Sequence, residues 1–363
     1  MVCIAAFIIL CLLSVFVGIL SIFRRDLGAK YWKTFKKSWG CVGKRVTFQK
    51  CETNFKTDIK NSILKKVVIK RPKLVKPISV GIEIVAILIV AITVWSLATA
   101  VKSGLSLWTF GTCDVVRPSA CAIGAEICSI DQEAPKNPIE AVGRWFADWG
   151  EIFSAIPDKF RTWDSVEFNL TGFRPNEIDF DKPFAADILD PGCTVCLQSF
   201  KNQLSSGFFD SHNVLIIPFP IENPDGTYKF KNSGLISRYL LAVAQFSTPV
   251  QLEPSENRNA PSTPALRILQ KIFTEYNEDH IIYQNVFNER LENDEAELLL
   301  QTWLADLGYS DFEILTIQTL ARSDQISDQL TKNQNIVEHQ IRVKGIPTTI
   351  FDGRRHTGLF KSE

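Results

Sequence analysis

Cys193 and Cys196, separated by Thr194 and Val195, are the residues of this chain with the clearest capacity for chemistry. A C-x-x-C pair suits three uses: half of a zinc site, a structural disulfide, or a redox pair that trades its disulfide with another thiol. Zinc takes about four ligands, and a second such pair commonly supplies two of them. No cysteine follows Cys196, and His212, His280, His339 and His356 are scattered without ligand spacing, so no metal is expected. A structural bridge across so short a loop would constrain little of the unfolded chain. Redox exchange is the use that the flanking residues favour.

Those flanks must place the pair. The run from Phe184 to Leu189 reads as a strand, Asp190-Pro191-Gly192 as the turn leaving it, and Leu197-Gln198-Ser199-Phe200 as the helix that the pair opens. A helix N-terminus presents unpaired N–H groups and the positive end of the dipole. Both stabilise a thiolate, which is the attacking species. Cys193, expected at the more exposed end, is the candidate nucleophile. Cys196, one turn further in, is the candidate resolving thiol that closes the internal disulfide and expels the mixed-disulfide partner.

Around this motif the pattern is mixed α/β. Apolar runs at Ala185–Leu189, Val214–Ile217 and Thr348–Phe351 read as strands. Ser237–Phe246, Ala265–Tyr276, Asp294–Leu307 and Ser323–Arg342 read as helices, with a polar, Pro-rich loop from Thr248 to Pro264 between the first two. Strands, then helices, then a returning strand describe a helical insertion in a small sheet.

Upstream, two apolar runs, Val2 to Phe23 and Ile84 to Val101, each approach the roughly 20 residues that span a bilayer core. Arg24 and Arg25 follow the first run and nothing basic precedes it, which favours an uncleaved anchor over a signal peptide. Arg24 to Pro77 carries 17 Lys or Arg against Asp26, Glu52 and Asp58. Basic flanks stay in the cytoplasm, so the chain after Val101 is expected outside. The same run is a lipid-headgroup contact. The chain's formal net charge is zero, and no nucleic-acid partner is expected. Cys41 and Cys51 in this loop read as reduced thiols, and Cys3 and Cys11 as small packing residues.

The expected divisions are 1–23 and 78–101 as spans, 24–77 as a cytoplasmic basic loop, 102–164 as an extracytoplasmic linker, and 165–363 as the folded domain. In the linker, two of Cys113, Cys121 and Cys128 are expected to pair as a staple in an oxidising compartment. The odd one is either a resolving thiol or simply unpaired. Residues 137–156 recur in apolar character at helical spacing, through Ile139, Val142, Trp145, Phe146, Trp149, Ile152, Phe153 and Ile156. Packing on the following domain is expected for this helix, with a bilayer-surface role the alternative.

From about residue 165 onward the order of elements resembles the DsbA-like branch of the thioredoxin superfamily. The resemblance rests on the C-x-x-C helix, on Phe219-Pro220 after the next strand, and on Gly345-Ile346-Pro347-Thr348-Thr349-Ile350-Phe351-Asp352-Gly353. It implies an α/β thioredoxin-like fold with a helical insertion, here preceded by two transmembrane helices. It implies that Asp187, six residues before Cys193, handles the proton of the resolving cysteine. It implies that Pro347 is a cis-proline lying against the pair, and that the backbone of Ile346 pairs with substrate. Thr194 and Val195 stand where such proteins carry other dipeptides, and Gly192 stands where an aromatic residue is common.

The reading that follows is a two-pass plasma-membrane protein, of bacterial type by its resemblance, that forms or exchanges disulfides in client proteins outside the cytoplasm. It needs no cofactor. Its partners are clients with thiols or disulfides, a membrane or soluble redox partner, and the lipid bilayer. The alternatives are a reductase or isomerase fed by a membrane electron donor, a non-catalytic thioredoxin-fold binding module, and a scaffold acting through its basic loop.

Overall fold

The computed structural model describes residues 8–9, 11–13, 25–46, 75–121, 126–246 and 263–361. Most of the first apolar run, Cys3, Cys51, most of the basic loop past Val46 and nearly all of the Thr248–Pro264 loop lie outside these residues. The chain divides into two compact units, Met1–Val101 and Lys102–Glu363.

In the first unit, α1 (Arg25–Val46) carries part of the basic loop. The helix α2 (Val75–Phe110) starts in this unit and runs on past Val101. It is the described helix long and apolar enough to cross a membrane. At 1.5 Å per residue, its 36 residues exceed the roughly 30 Å of a hydrocarbon core, so its polar ends have room to lie outside.

The second unit is built on a four-stranded sheet in the order β3-β2-β5-β6. Strand β2 (Phe184–Leu189) pairs in parallel with β3 (Asn213–Pro218) and antiparallel with β5 (Thr348–Phe351). Strand β6 (Arg354–Thr357) closes a hairpin with β5 through Asp352 and Gly353, both at positive φ. A parallel pair joined through a helix and followed by an antiparallel hairpin is a thioredoxin-like arrangement. All of β2 after Phe184 is buried, as a central strand covered on both faces requires.

Between β3 and β5 lies the helical block: α5 (Ser233–Phe246), α6 (Pro264–Thr274), α7 (Asn293–Asp306), α8 (Asp311–Ala321) and α9 (Asp324–Asn335). Helix α4 (Thr194–Ser205) follows β2 directly. One core joins the block to the sheet through Phe200, Phe273, Phe287, Ile188 and Ile216. The sequence pattern missed α8, although Ser310 and Glu313 form a reciprocal capping box at its start. The expected helix across Ser323–Arg342 ends earlier: α9 passes into a π turn at Ile336–Gln340.

The segment read as a linker contributes to this core. Cys128, Ile130 and Trp163 are buried with the residues of the sheet. Helix α3 (Pro138–Ala155) starts on Asn137, whose side chain accepts the Glu140 amide at 2.8 Å. Its Ile152 and Ala155 bury against Phe110 and Val115. An ion pair between Glu151 and the buried Lys344 ties it to the unit. Ile139, Val142, Phe146 and Phe153 remain exposed, so packing accounts for only part of the apolar stripe.

The outer edge of β3 is met by the chain itself. Phe173 bridges Ile216, exchanging both backbone hydrogen bonds at 2.8 and 2.9 Å. Gly172 makes the approach possible, because a Cβ there would stand 2.1 Å from the Ile216 carbonyl oxygen.

Candidate redox site

Cys193 is the N-cap of α4, and its sulfur accepts the Cys196 amide at 3.4 Å. The turn before it is built by Asp190. One carboxylate oxygen accepts the Gly192 amide at 2.7 Å, and the other accepts the Ile221 amide at 2.7 Å. Side chains from the helical block hold the same loop from the other side. The Gln284 amide donates to the carbonyls of Pro191 and Cys193, both at 2.9 Å, and Asn288 donates to that of Gly192 at 2.8 Å. Three consecutive carbonyls near the helix N-terminus are thus satisfied by two side chains, as buried backbone requires.

Gly192 has a specific reason to lack a side chain. A Cβ there would stand 2.3 Å from Cβ of Phe230 and 3.0 Å from Oδ1 of Asn288. Phe230 occupies the space that a side chain at position 192 would need.

Neither cysteine is exposed. Cys193 and Cys196 are both fully buried, which corrects the expectation that Cys193 stands at an open end. The expected Cys193–Cys196 disulfide is also not the bond found here. Cys193 is bonded to Cys128, with a Cα–Cα separation of 6.3 Å, and Cys196 is a free thiol. Cys113 and Cys121 form the staple. The odd cysteine of the linker is therefore joined to the first cysteine of the pair.

Cys128 arrives on a strand. Strand β1 (Cys128–Ser129) pairs antiparallel with β4 (Gly345–Ile346), Cys128 opposite Ile346 and Ser129 opposite Gly345. The Ile130 amide extends the ladder to the Lys344 carbonyl at 3.1 Å. Lys229 donates to the Ser129 carbonyl at 2.9 Å and to its hydroxyl at 3.1 Å. Ile346 is buried and precedes Pro347 across a cis peptide. Of the two residues inside the motif, Thr194 is exposed and Val195 half-buried.

Two carboxyls lie beneath the pair. Asp187 is buried, and burial pushes its carboxyl up to about 6, against the opposing hydrogen bonds from Thr349 and Gln203. The Thr349 hydroxyl donates to it at 2.9 Å. Asp190 is also buried, and burial pushes it up to about 7, against the two amides it accepts, Ser233 and the Lys229 charge. Sequence reasoning gave Asp190 only a turn role; its carboxyl is a second titrating group at the site. Burial pushes the Cys196 thiol well above its ordinary range. The Asp190 amide, 3.4 Å from the sulfur, opposes that rise, and the charges of Asp190 and Asp187 add to it.

Among the described residues, no group of three or more His, Cys, Asp and Glu side chains is placed to hold a metal ion.

No protein-family model matches this sequence, and no curated protein matches it. Two solved structures resemble the chain distantly. One is Proteus mirabilis ScsC in a transitional conformation, with a TM-score of 0.34 and 14% identity over 61% of this chain and 85% of that one. The other is MdbA, a thiol-disulfide oxidoreductase from Corynebacterium matruchotii, with a TM-score of 0.35 and 16% identity over 53% of this chain and 91% of that one.

Proposed function

We propose that the chain is a membrane-anchored thiol–disulfide oxidoreductase that works outside the cytoplasm on client proteins, through Cys193 and Cys196. One observation carries the reading. Cys193 caps a helix and is disulfide-bonded to a cysteine outside the C-x-x-C motif, while Cys196 stays a thiol three residues away. That is the bonding pattern of an exchange intermediate. One sulfur of the pair holds a partner and the other is kept ready to displace it.

The mechanism follows from the chain's own groups. A client thiolate attacks the Cys193–Cys196 disulfide at Cys193, and Cys196 leaves as a thiolate. A second client thiolate then attacks the client sulfur of the mixed disulfide. The client departs oxidised, and Cys193 and Cys196 are left reduced. Run in reverse, the same steps reduce a client. The Cys196 amide stabilises negative charge on Cys193. Asp187 and Asp190, with ionisation near neutrality, take up and return the Cys196 proton. Ile346 offers its backbone to an extended client segment, with Pro347 beside it, and Thr194 and Val195 form the rim.

The anchor is α2, and its membrane reading draws on length and apolar composition. The basic residues between the two apolar runs support a two-pass topology with residues after Val101 outside the cytoplasm. Partners on this reading are client proteins, the lipid bilayer and a redox partner that resets the pair.

The burial of Cys193 favours a second reading, in which the disulfide is locked and the domain is a binding module. A redox titration of the full-length protein in glutathione buffers, with thiols trapped by alkylation, separates the two. A two-electron transition at Cys193 at a potential above about −200 mV supports client oxidation, and one near or below about −270 mV supports reduction. A Cys193 that never exchanges rejects the enzyme reading in favour of the module.

A further inference from the structure

We propose that Cys128 is a third redox-active cysteine, carried on a strand that occupies the client position, and that it stores Cys193 as an internal mixed disulfide which Cys196 resolves. This rests on the oxidoreductase reading above and names the first partner of that same site as the chain's own residues 127–130.

Four independent features mark this segment as built into the site. First, β1 adds to β4 through backbone hydrogen bonds, the mode by which an extended peptide is held at an open strand. Its register puts Cys128 opposite Ile346, the residue expected to pair with substrate. Second, Lys229 binds both the carbonyl and the hydroxyl of Ser129, fixing the residue that follows Cys128. Third, Gly345 is shaped for this neighbour: a Cβ there would stand 2.5 Å from Cδ1 of Ile127. Fourth, the segment is tethered from upstream. Gln132 donates its amide to the Val116 carbonyl at 2.8 Å, and Ser119 donates its amide to Asp131 at 3.1 Å. Both contacts join it to the loop stapled by Cys113–Cys121.

The step that releases Cys128 is balanced within the chain. Cys196 gives its proton to one of the two buried carboxylates, Asp187 or Asp190, and its thiolate attacks the sulfur of Cys193. The Cys193–Cys196 bond forms and the Cys128–Cys193 bond breaks. Cys128 leaves as a thiolate and takes up the proton that the carboxylate received from Cys196, with no net oxidation or reduction. The product carries the Cys193–Cys196 disulfide and a free Cys128, and β1 can then vacate β4 for a client. In the stored form a client must displace a strand of the same chain. Tethering gives that strand an effective concentration in the millimolar range.

The test uses full-length protein in detergent. Thiols are trapped by acid quench and alkylation, and disulfide-linked peptides are mapped by mass spectrometry without reduction. In Cys196→Ser, Cys128 is expected linked to Cys193 in most molecules. In the unsubstituted chain, both the Cys128–Cys193 and Cys193–Cys196 linkages are expected, exchanging with each other. In Cys128→Ser, Cys193 is expected to exchange with glutathione about tenfold faster or more, because no tethered thiol competes. Lys229→Ala keeps every cysteine and loosens β1; it is expected to shift the distribution towards Cys193–Cys196 and to speed exchange in the same direction. The proposal is overturned if Cys128 is alkylated as a free thiol in Cys196→Ser, or if neither Cys128→Ser nor Lys229→Ala changes the exchange rate. A Cys193 that exchanges with glutathione in those cases leaves the oxidoreductase reading standing. A Cys193 inert in every variant, Cys128→Ser included, removes that reading and this one with it.

Discussion

Asp187 and Thr349 face each other in the ladder between β2 and β5, and the Thr349 hydroxyl donates to the Asp187 carboxyl at 2.9 Å. The pair sits at the centre of the sheet, and its charge state is felt by Cys196.

Removing the Asp187 charge should therefore be visible at the thiol. In Asp187→Asn and in Asp190→Asn, the pH at which Cys196 is half-alkylated is expected to move down, because each carboxylate helps to hold the thiol up. Alkylation of the Cys196 peptide, followed by mass spectrometry across pH on the Cys128→Ser, Cys193→Ser background, isolates Cys196 from the other thiols of the chain. An unchanged midpoint in both variants would show that burial alone sets the thiol.

The same carboxyls give stability a defined pH dependence. Folding raises Asp187 to about 6 and Asp190 to about 7, so the folded chain holds protons that the unfolded chain has released. The stabilisation is complete below about pH 4, the ordinary carboxyl value, and is lost as pH rises through 6 and then 7. Each group contributes on the order of 3–4 kcal/mol at the acid end. Thermal unfolding should show a midpoint falling between pH 4 and 8, and Asp187→Asn should flatten about half of that slope. A midpoint that rises over this range contradicts the assignment.

Gln284 is the bracket of the redox loop. Gln284→Leu strips the donor from the carbonyls of Pro191 and Cys193. A loss of about 1–3 kcal/mol is expected, from the buried Pro191 carbonyl left unsatisfied, since the Cys193 carbonyl keeps the Leu197 amide at 3.0 Å. Denaturant unfolding gives the stability, and the glutathione exchange rate of Cys193 gives the effect on the site. A fully stable variant would mean that water replaces the side chain.

Gly192→Ala tests the close approach of Phe230. The added methyl has no room beside Phe230 and Asn288, and overpacking of this kind costs about 1–3 kcal/mol. Pairing it with Phe230→Ala should recover part of that loss. Absence of any recovery would place the strain elsewhere.

The contrast between what was and was not legible in the sequence follows these same residues. Strand β2 and the helix opened by Cys193 were legible because local signals agree: an apolar run, a Pro-Gly turn and a thiol at a helix start. Asp190 was read as a turn residue because Asp-Pro-Gly is a turn signal; the same carboxyl accepts the Gly192 amide and titrates beside Cys196, and only the fold reveals the second role. Gln284 lies in the short helical turn Tyr283–Asn285 and Asn288 in the π turn that follows it, Val286–Arg290, with no periodic pattern around them. The bond between Cys128 and Cys193 joins positions 65 residues apart, and no local pattern distinguishes which of three upstream cysteines makes it. The apolar stripe of α3 was legible as a helix, but its period does not say how much of it finds a neighbour.

The finite width of the sheet has a consequence for how the protein behaves in a crowd. Exposed strand edges template pairing between molecules, and natural sheets close them with covering chain or with charge. Here Phe173 covers the edge at β3, and Arg354, exposed, with Arg355 beside it, charges the one at β6. Both devices disfavour self-association through the main sheet. Among the described residues, the two-residue strand β4 is where a further strand is accepted, and β1 fills it; on the proposed exchange, release of Cys128 would open that edge to another chain.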